Sequence, residues 1–90
     1  MSLFDADLPV HLQPHEWDIF KRPIVNSGGA QILLEKLHGC PQPQQHTLIV
    51  PVELLDKAYQ YAYDYGGGGW QDRFKALVKA AMRGGQWKPV

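Results

Sequence analysis

Four consecutive glycines, Gly66 to Gly69, interrupt the second half of the 90-residue chain and restrict its fold more than any other feature of the sequence. Glycine weakens the interior of a helix by about 1 kcal/mol relative to alanine, and it adopts positive φ readily. The run therefore favours a bend at which one helix ends and another begins within a few residues. We expect the helices on its two sides to fold back and pack closely together.

Both flanking segments have the periodicity of a helix. After the glycines, apolar residues recur at steps of four, three and one, which places them on one helical stripe: Trp70, Phe74, Leu77, Val78, Ala81 and Met82. Arg83 and the pair Gly84-Gly85 end this helix. Before the glycines, Pro51 opens a second predicted helix, Val52–Tyr65, whose inner face contains Leu55, Ala58, Tyr59, Ala62 and Tyr65. The apolar, β-branched run Thr47–Val50 predicts a strand.

The first half repeats this order in a weaker form. The Pro-x-Glu sequence that begins at Pro14 matches the one at Pro51, and Gly28-Gly29-Ala30-Gln31 matches Gly68-Gly69-Trp70-Gln71. Val10–Leu12 would be the counterpart of the later strand, and Pro23 should end or kink the first helix early. The sequence predicts one domain, residues 1–90, with half-repeats 10–38 and 47–83, a loop at 39–46 and a tail at 84–90. Its class is α+β but mainly α, with about four short helices and a two-stranded β element in a pseudo-twofold β-α-α repeat.

The glycines suit a structural role better than ligand binding. A phosphate-binding loop of the Walker type needs a lysine followed by serine or threonine, and neither follows Gly69. A dinucleotide fingerprint needs a preceding strand, whereas the segment here is helical. We therefore interpret six glycines as hinges, namely Gly28, Gly29, Gly66, Gly67, Gly68 and Gly69. Gln31 and Gln71 would then lie three residues after the helix caps Gly28 and Gly68, where each side chain can bond back to the cap N–H.

Composition and charge exclude several other kinds of site. Basic and acidic residues number nine each, so the net charge of zero gives no general attraction to nucleic acid or to anionic membranes. The only cluster of metal-capable residues is His38, Cys40 and His46; its spacing is not one of those usual in zinc sites, and a fourth ligand is not evident. Acid, base and nucleophile do not converge in the sequence. We expect no metal, no cofactor and no catalytic activity. The single cysteine and the acidic start, which lacks the pattern of a signal peptide, indicate a cytoplasmic protein.

The aromatic run before the glycines is the main candidate for binding a partner. Tyr59 and Tyr63 fall on one side of the predicted helix, and Tyr61 and Tyr65 on another, so the rings cannot all face one core. Exposed tyrosine and tryptophan are preferred anchors of protein interfaces. The candidate interface consists of Tyr59, Tyr61, Tyr63, Tyr65, Trp70, Gln71 and Gln31. Alternatively, the loop 39–46 and Trp87 in the tail cover these rings within the chain.

A row of cations on the last helix is a second candidate surface. Lys75, Lys79 and Arg83 follow one another at helical spacing, with Lys88 beyond them, on the face opposite the apolar stripe. These residues could meet nucleic acid or an acidic partner. The simpler interpretation is a solvated face whose cations favour the negative end of the helix.

Two resemblances bear on function. The β-α-α pattern of residues 47–82 resembles the ribbon-helix-helix DNA-binding family, in which strands of two subunits pair and alternate polar strand residues read bases. Here Leu48, Ile49 and Val50 offer no such polar row, and only His46 and Thr47 could contribute. The repeated GG-x-Q motif and the phrase YAYDYGGGGWQDRF resemble small uncharacterised proteins of phages, prophages and bacterial genomes. That resemblance implies an accessory role, including inhibition of a host defence or enzyme by direct binding.

These observations favour a non-enzymatic module that binds another protein. The identity of that protein is not written in the sequence, and the tyrosine-rich segment Tyr59–Trp70 would also suit self-association into a homo-oligomer. A small DNA-binding regulator that uses the cations of the last helix is the alternative. A membrane partner is not expected.

Overall fold

A computed structural model describes residues 7–22, 29–63, 68–85 and 87–88, apart from the side chains of residues 29, 30 and 68–70. The elements follow in the order β1 (Asp7–His11), α1 (Pro14–Phe20), α2 (Gly29–His38), β2 (Thr47–Pro51), α3 (Val52–Tyr63) and α4 (Gly68–Arg83). The fold is therefore mainly α, with four helices and one two-stranded antiparallel sheet in the described residues, as the sequence predicts. The order β-α-α occurs twice.

The two strands pair across the centre of the molecule. β1 and β2 are antiparallel, and Pro9 lies opposite Ile49 in the middle of the register. One face of the sheet joins the core through Val10, Leu48 and Val50, which are all buried. The predicted strand Val10–Leu12 is shifted, since β1 begins at Asp7 and ends at His11. The sequence pattern does not predict a strand across Pro9, because proline is rare in strands away from sheet edges.

α4 is the central helix and packs against both α3 and α1. Phe74, Leu77 and Val78 lie on the predicted stripe and are fully buried. Met82, also predicted there, is 36% exposed, whereas Ala76 and Ala80 beside the stripe are buried. These small residues allow a second helix, α1, to approach closely. A helix that contacts two neighbours has a wider buried face than one stripe.

The helix ends differ in part from the predictions. α4 starts at Gly68, so Gly68 and Gly69 belong to the helix and not to the bend before it. Gln31 does not bond back to a helix cap: its Nε2 donates to Glu35 Oε1 at 3.1 Å, and its Oε1 has no partner among the described residues. The side chain points one turn forward along α2. Gly28, Gly66 and Gly67, with the predicted kink at Pro23, lie outside the described residues.

A capping interaction occurs instead at α1. Pro14 occupies the first helical turn, where its missing N–H costs nothing, and Glu16 accepts a hydrogen bond from the backbone N–H of Gln13 at 2.8 Å. Glu16 is 6% exposed. The buried Glu16 carboxylate thus caps the N-terminus of α1.

Candidate functional site

Two of the predicted interface tyrosines lie side by side on α3. The ring centroids of Tyr59 and Tyr63 are 4.8 Å apart, and Tyr63 is 44% exposed. Lys75 of α4 places its Nζ 5.4 Å from the centroid of the Tyr63 ring, within the range of a cation–π contact. We call Tyr59, Tyr63 and Lys75 the tyrosine surface. It presents a large ring to solvent in a position fixed by neighbours on both sides.

The tail of the chain supports this surface from behind. Trp87 is 5% exposed, its ring meets that of Tyr59 at a centroid distance of 6.2 Å, and its Nε1–H donates to Asp56 Oδ1 at 3.0 Å. The tail is therefore docked by Trp87, which covers Tyr59 in part. In the loop 39–46, the other segment that could cover the tyrosines, His46 packs on Trp17 of α1 at 5.3 Å between ring centroids.

Of the other predicted interface residues, Tyr61 and Gln31 make contacts outside the tyrosine surface. Tyr61 is partly buried against the core, with its ring 5.6 Å from that of Phe74. Gln31 bonds within α2. Tyr65 and the side chain of Trp70 lie outside the described part of the chain, and Gln71 is partly exposed near the start of α4. A helix with tyrosines at alternate positions thus turns Tyr61 inward and Tyr63 outward.

The four residues of the predicted cationic row differ in their contacts. Arg83 does not stand on a free face: its Nη2 donates to Glu16 Oε1 at 2.6 Å, its Nη1 to Glu16 Oε2 at 3.2 Å, and its Nη2 also to the His11 carbonyl at 3.3 Å. Arg83 therefore contacts α1 while its side chain remains 45% exposed. Lys88 is exposed. Lys79 is exposed and has no ion-pair partner in the described ranges.

A groove between α1 and α4 brings Lys75 and Lys79 of this row together with residues outside the predicted sites. It is open to solvent, measures about 230 Å³, and is lined by His15, Glu16, Ile19, Asp72, Lys75, Ala76 and Lys79. We call it the lysine groove. Only the spacing of Asp72, Lys75, Ala76 and Lys79 on one helical face could have indicated it, because α1 is distant in the sequence.

Buried charges near the groove are all engaged. Burial acts to raise the pKa of Glu16, but hydrogen bonds from Arg83 and from the Gln13 N–H, with the nearby charges of Arg83 and His15, outweigh it and lower that pKa. Burial lowers the pKa of Arg73, whose Nε donates to the Arg22 carbonyl at 3.1 Å. These side chains hold the helices together.

The three candidate metal ligands, His38, Cys40 and His46, each contact another part of the chain. His38 Nε2 bonds to the Phe20 carbonyl at 2.8 Å, and burial lowers the pKa of His38. Cys40 Sγ lies 3.5 Å from the Lys36 carbonyl, and burial raises the pKa of Cys40. Within the described residues, no group of three or more histidine, cysteine, aspartate or glutamate side chains is placed to hold a metal ion.

The outer face of the sheet bears on the resemblance to ribbon-helix-helix proteins. It carries Asp7, Pro9 and His11 from β1, and Thr47, Ile49 and Pro51 from β2. His11 and Thr47 bond to each other, with 2.7 Å between His11 Nδ1 and Thr47 Oγ1. No lysine or arginine lies on this face of the two described strands.

Comparison of the chain with known protein families, with curated proteins and with solved structures gives no match. Among the described helices, none is both long and apolar enough to cross a membrane.

Proposed function

We propose that the chain is a non-enzymatic interaction module that binds a protein partner through the tyrosine surface. The proposal rests on one observation: Tyr63 is 44% exposed while its ring lies 4.8 Å from Tyr59 and 5.4 Å from Lys75. A tyrosine ring buries a large area on binding, and a ring that is already fixed loses little rotamer entropy when it does so. A surface of this kind suits an anchor at the centre of an interface.

The supporting contacts strengthen this argument. Tyr59 is backed by Trp87, and Trp87 is fixed by its hydrogen bond to Asp56. The exposed ring therefore stands on a layer of buried and hydrogen-bonded aromatic groups. Anchors with such support account for most of the binding energy in many interfaces, whereas flexible surface side chains contribute little.

The first experiment measures self-association and capture together. Wild-type chain, Tyr63→Ala and the matched control Ile32→Ala would be compared, because Ile32 is an apolar side chain on α2 with 57% exposure. Sedimentation over a concentration series reports self-association, and immobilised chain with quantitative mass spectrometry reports captured proteins. We expect Tyr63→Ala to weaken association by about tenfold or more, as removal of an anchor does, with little dependence on salt.

Folding is checked by circular dichroism for each variant. Equal association by wild type and Tyr63→Ala would overturn the proposal, as would an equal loss with Ile32→Ala. Loss of association only in Tyr63→Ala, with unchanged helix content, supports the proposal. A loss seen in sedimentation identifies a second copy of the chain as the partner, and a loss seen in capture identifies a different protein.

A DNA-binding regulator is the second candidate. It is favoured by the two β-α-α units whose strands pair antiparallel within one chain, an arrangement that resembles a ribbon-helix-helix dimer. The absence of lysine and arginine from the outer face of the described strands argues against base reading there. Duplex binding that falls steeply between low and physiological salt would favour this candidate over the interaction module.

A further inference from the structure

We propose that the lysine groove is a second binding site, which takes a short acidic segment of a protein. The groove lies between α1 and α4, and its apolar lining comes from Ile19, which is partly buried, and Ala76, which is 6% exposed. Lys75 and Lys79 flank this lining on α4. An apolar floor beside two ammonium groups matches a segment that alternates carboxylates with apolar side chains.

The charges around the groove leave an excess of cations. Glu16 is paired with Arg83, whose guanidinium contacts both carboxylate oxygens. Asp72 is exposed, and its charge acts on the neighbouring Arg73. With Glu16 paired to Arg83, the remaining charges of the lining are those of Lys75, Lys79 and Asp72, which sum to +1, and His15 lies on the opposite wall. Complementary charge of this kind selects an anionic partner more than it adds affinity.

The spacing of the two lysines favours an extended peptide. Residues four apart on a helix have Cβ atoms about 5–6 Å apart, so the side chains of Lys75 and Lys79 leave α4 one helical turn from each other. Carboxylates on alternate residues of an extended chain are separated by about 6.5–7 Å along one side. An extended segment with acidic residues at alternate positions therefore meets both lysines at once.

Nucleic acid fits this groove less well than an acidic peptide. A phosphate backbone carries closely spaced charges along its whole length and is bound best by a continuous row of cations. Arg83, which would otherwise extend the cationic row by another turn, is engaged with Glu16. The site offers two localised cations with an apolar patch, and not a continuous basic strip.

The groove adjoins the tyrosine surface but does not depend on it. Lys75 belongs to both, since its Nζ lies over the Tyr63 ring while the residue lines the groove. One partner could cover both areas, with an aromatic contact at Tyr63 and an acidic segment in the groove. Each site nevertheless has its own test, because Lys79 and Ile19 touch only the groove.

The test uses the full chain, labelled with ¹⁵N, and a synthetic peptide acetyl-Glu-Leu-Glu-Leu-Glu-amide. Amide shifts are followed as peptide is added to about 2 mM, a range suited to the weak affinity of a peptide with two charge contacts. We expect shifts confined to α1 and α4 around His15, Ala76 and Lys79. Lys79→Gln should weaken binding about fivefold, as the loss of one exposed ion pair does. The control Lys57→Gln, an exposed lysine on α3, should change it less than twofold.

Further peptides and variants decide between the alternatives. The same peptide with glutamine in place of glutamate should bind at least about fivefold more weakly, since both charge contacts are lost. Tyr63→Ala should leave peptide binding unchanged within about threefold, so failure of the tyrosine surface and failure of the groove give different results. The proposal is overturned by equal binding of the glutamate and glutamine peptides, by equal effects of Lys79→Gln and Lys57→Gln, by an absence of shifts, or by a DNA duplex that binds the groove when the acidic peptide does not.

Discussion

His46 is held in a backbone conformation that few side chains adopt. Its φ of 63° is positive, and it is the one non-glycine residue with positive φ in the described ranges. Its carbonyl accepts a hydrogen bond from the Leu12 N–H at 2.9 Å, and its ring lies 5.3 Å from that of Trp17. The turn before β2 therefore combines backbone strain with a side-chain contact to α1. Histidine, asparagine and aspartate tolerate this conformation better than β-branched residues do.

A pair of substitutions separates these two effects. We expect His46→Val to lower the free energy of unfolding by about 2–3 kcal/mol, because valine loses the contact with Trp17 and is also strained at positive φ. His46→Asn should cost only about 1 kcal/mol, since asparagine accepts the left-handed conformation. Urea denaturation followed by circular dichroism measures both values. Equal losses in the two variants would show that backbone strain does not contribute.

At the level of the elements, the sequence predicts the helices well and their contacts less well. Periodic apolar residues locate α3 and α4 within two residues at the ends that the structure describes. The periodicity of the sequence does not predict the second packing face of α4, because this face contains Ala76 and Ala80, whose small side chains give a weak hydrophobic signal. The ion pair of Arg83 is not indicated for a different reason: its partner Glu16 is 67 positions away along the chain.

The candidate sites, too, are only partly predictable from the sequence. The alternation of tyrosines predicts that some rings face outward, but only the packing of Trp87 and Phe74 decides that Tyr63 is the most exposed of the described tyrosines. The lysine groove needs α1 and α4 side by side, a contact that no local pattern encodes. Local periodicity reports faces of elements, whereas a site between elements depends on long-range packing.

The packing of Trp87 in the tail against α3 can be tested directly. We expect Trp87→Ala to lower the free energy of unfolding by about 3 kcal/mol through loss of buried aromatic area. Trp87→Phe should cost about 1 kcal/mol, because it keeps most of the ring and loses the hydrogen bond to Asp56. Thermal and urea denaturation give the values, and the exposed neighbour Lys88→Ala serves as a control with an expected change below about 0.5 kcal/mol. An unchanged stability of Trp87→Ala would mean that the tail does not pack on α3.

At the scale of the whole molecule, the two halves form one sheet, and other parts of the chain contact both of its edges. The Ile49 N–H bonds outward to the Pro41 carbonyl at 2.9 Å, so Pro9 and Ile49 form a pair without mutual hydrogen bonds. The free edge of β1 therefore presents Pro9, which has no N–H, and the His11 carbonyl, which Arg83 occupies. Strand addition by another chain is disfavoured at such an edge. We therefore expect self-association to use the helices.

The ion pair that joins the first half to the end of the second makes stability depend on pH. The pKa of Glu16 is lowered in the folded chain, so its stabilising contribution is complete above the ordinary value of 4.5 and is lost as the pH falls through the lower folded value. We expect the wild-type free energy of unfolding to fall more steeply between about pH 5 and 3 than that of Glu16→Gln, which has no carboxylate to protonate there. At pH 7 the variant should be less stable by about 1–3 kcal/mol, because a buried charge-assisted hydrogen bond is weakened.

Urea denaturation at pH 7, 5, 4 and 3 measures both curves, and every other carboxylate is common to the two proteins, so their difference isolates Glu16. The sign follows from proton binding: the unfolded chain takes up the proton of Glu16 at a higher pH than the folded chain does, and acid therefore favours unfolding. High salt should reduce the difference only in part, since the Arg83 side chain is 45% exposed while that of Glu16 is 8% exposed. Parallel curves for the two proteins would show that the contact between Arg83 and Glu16 does not hold the halves together in solution.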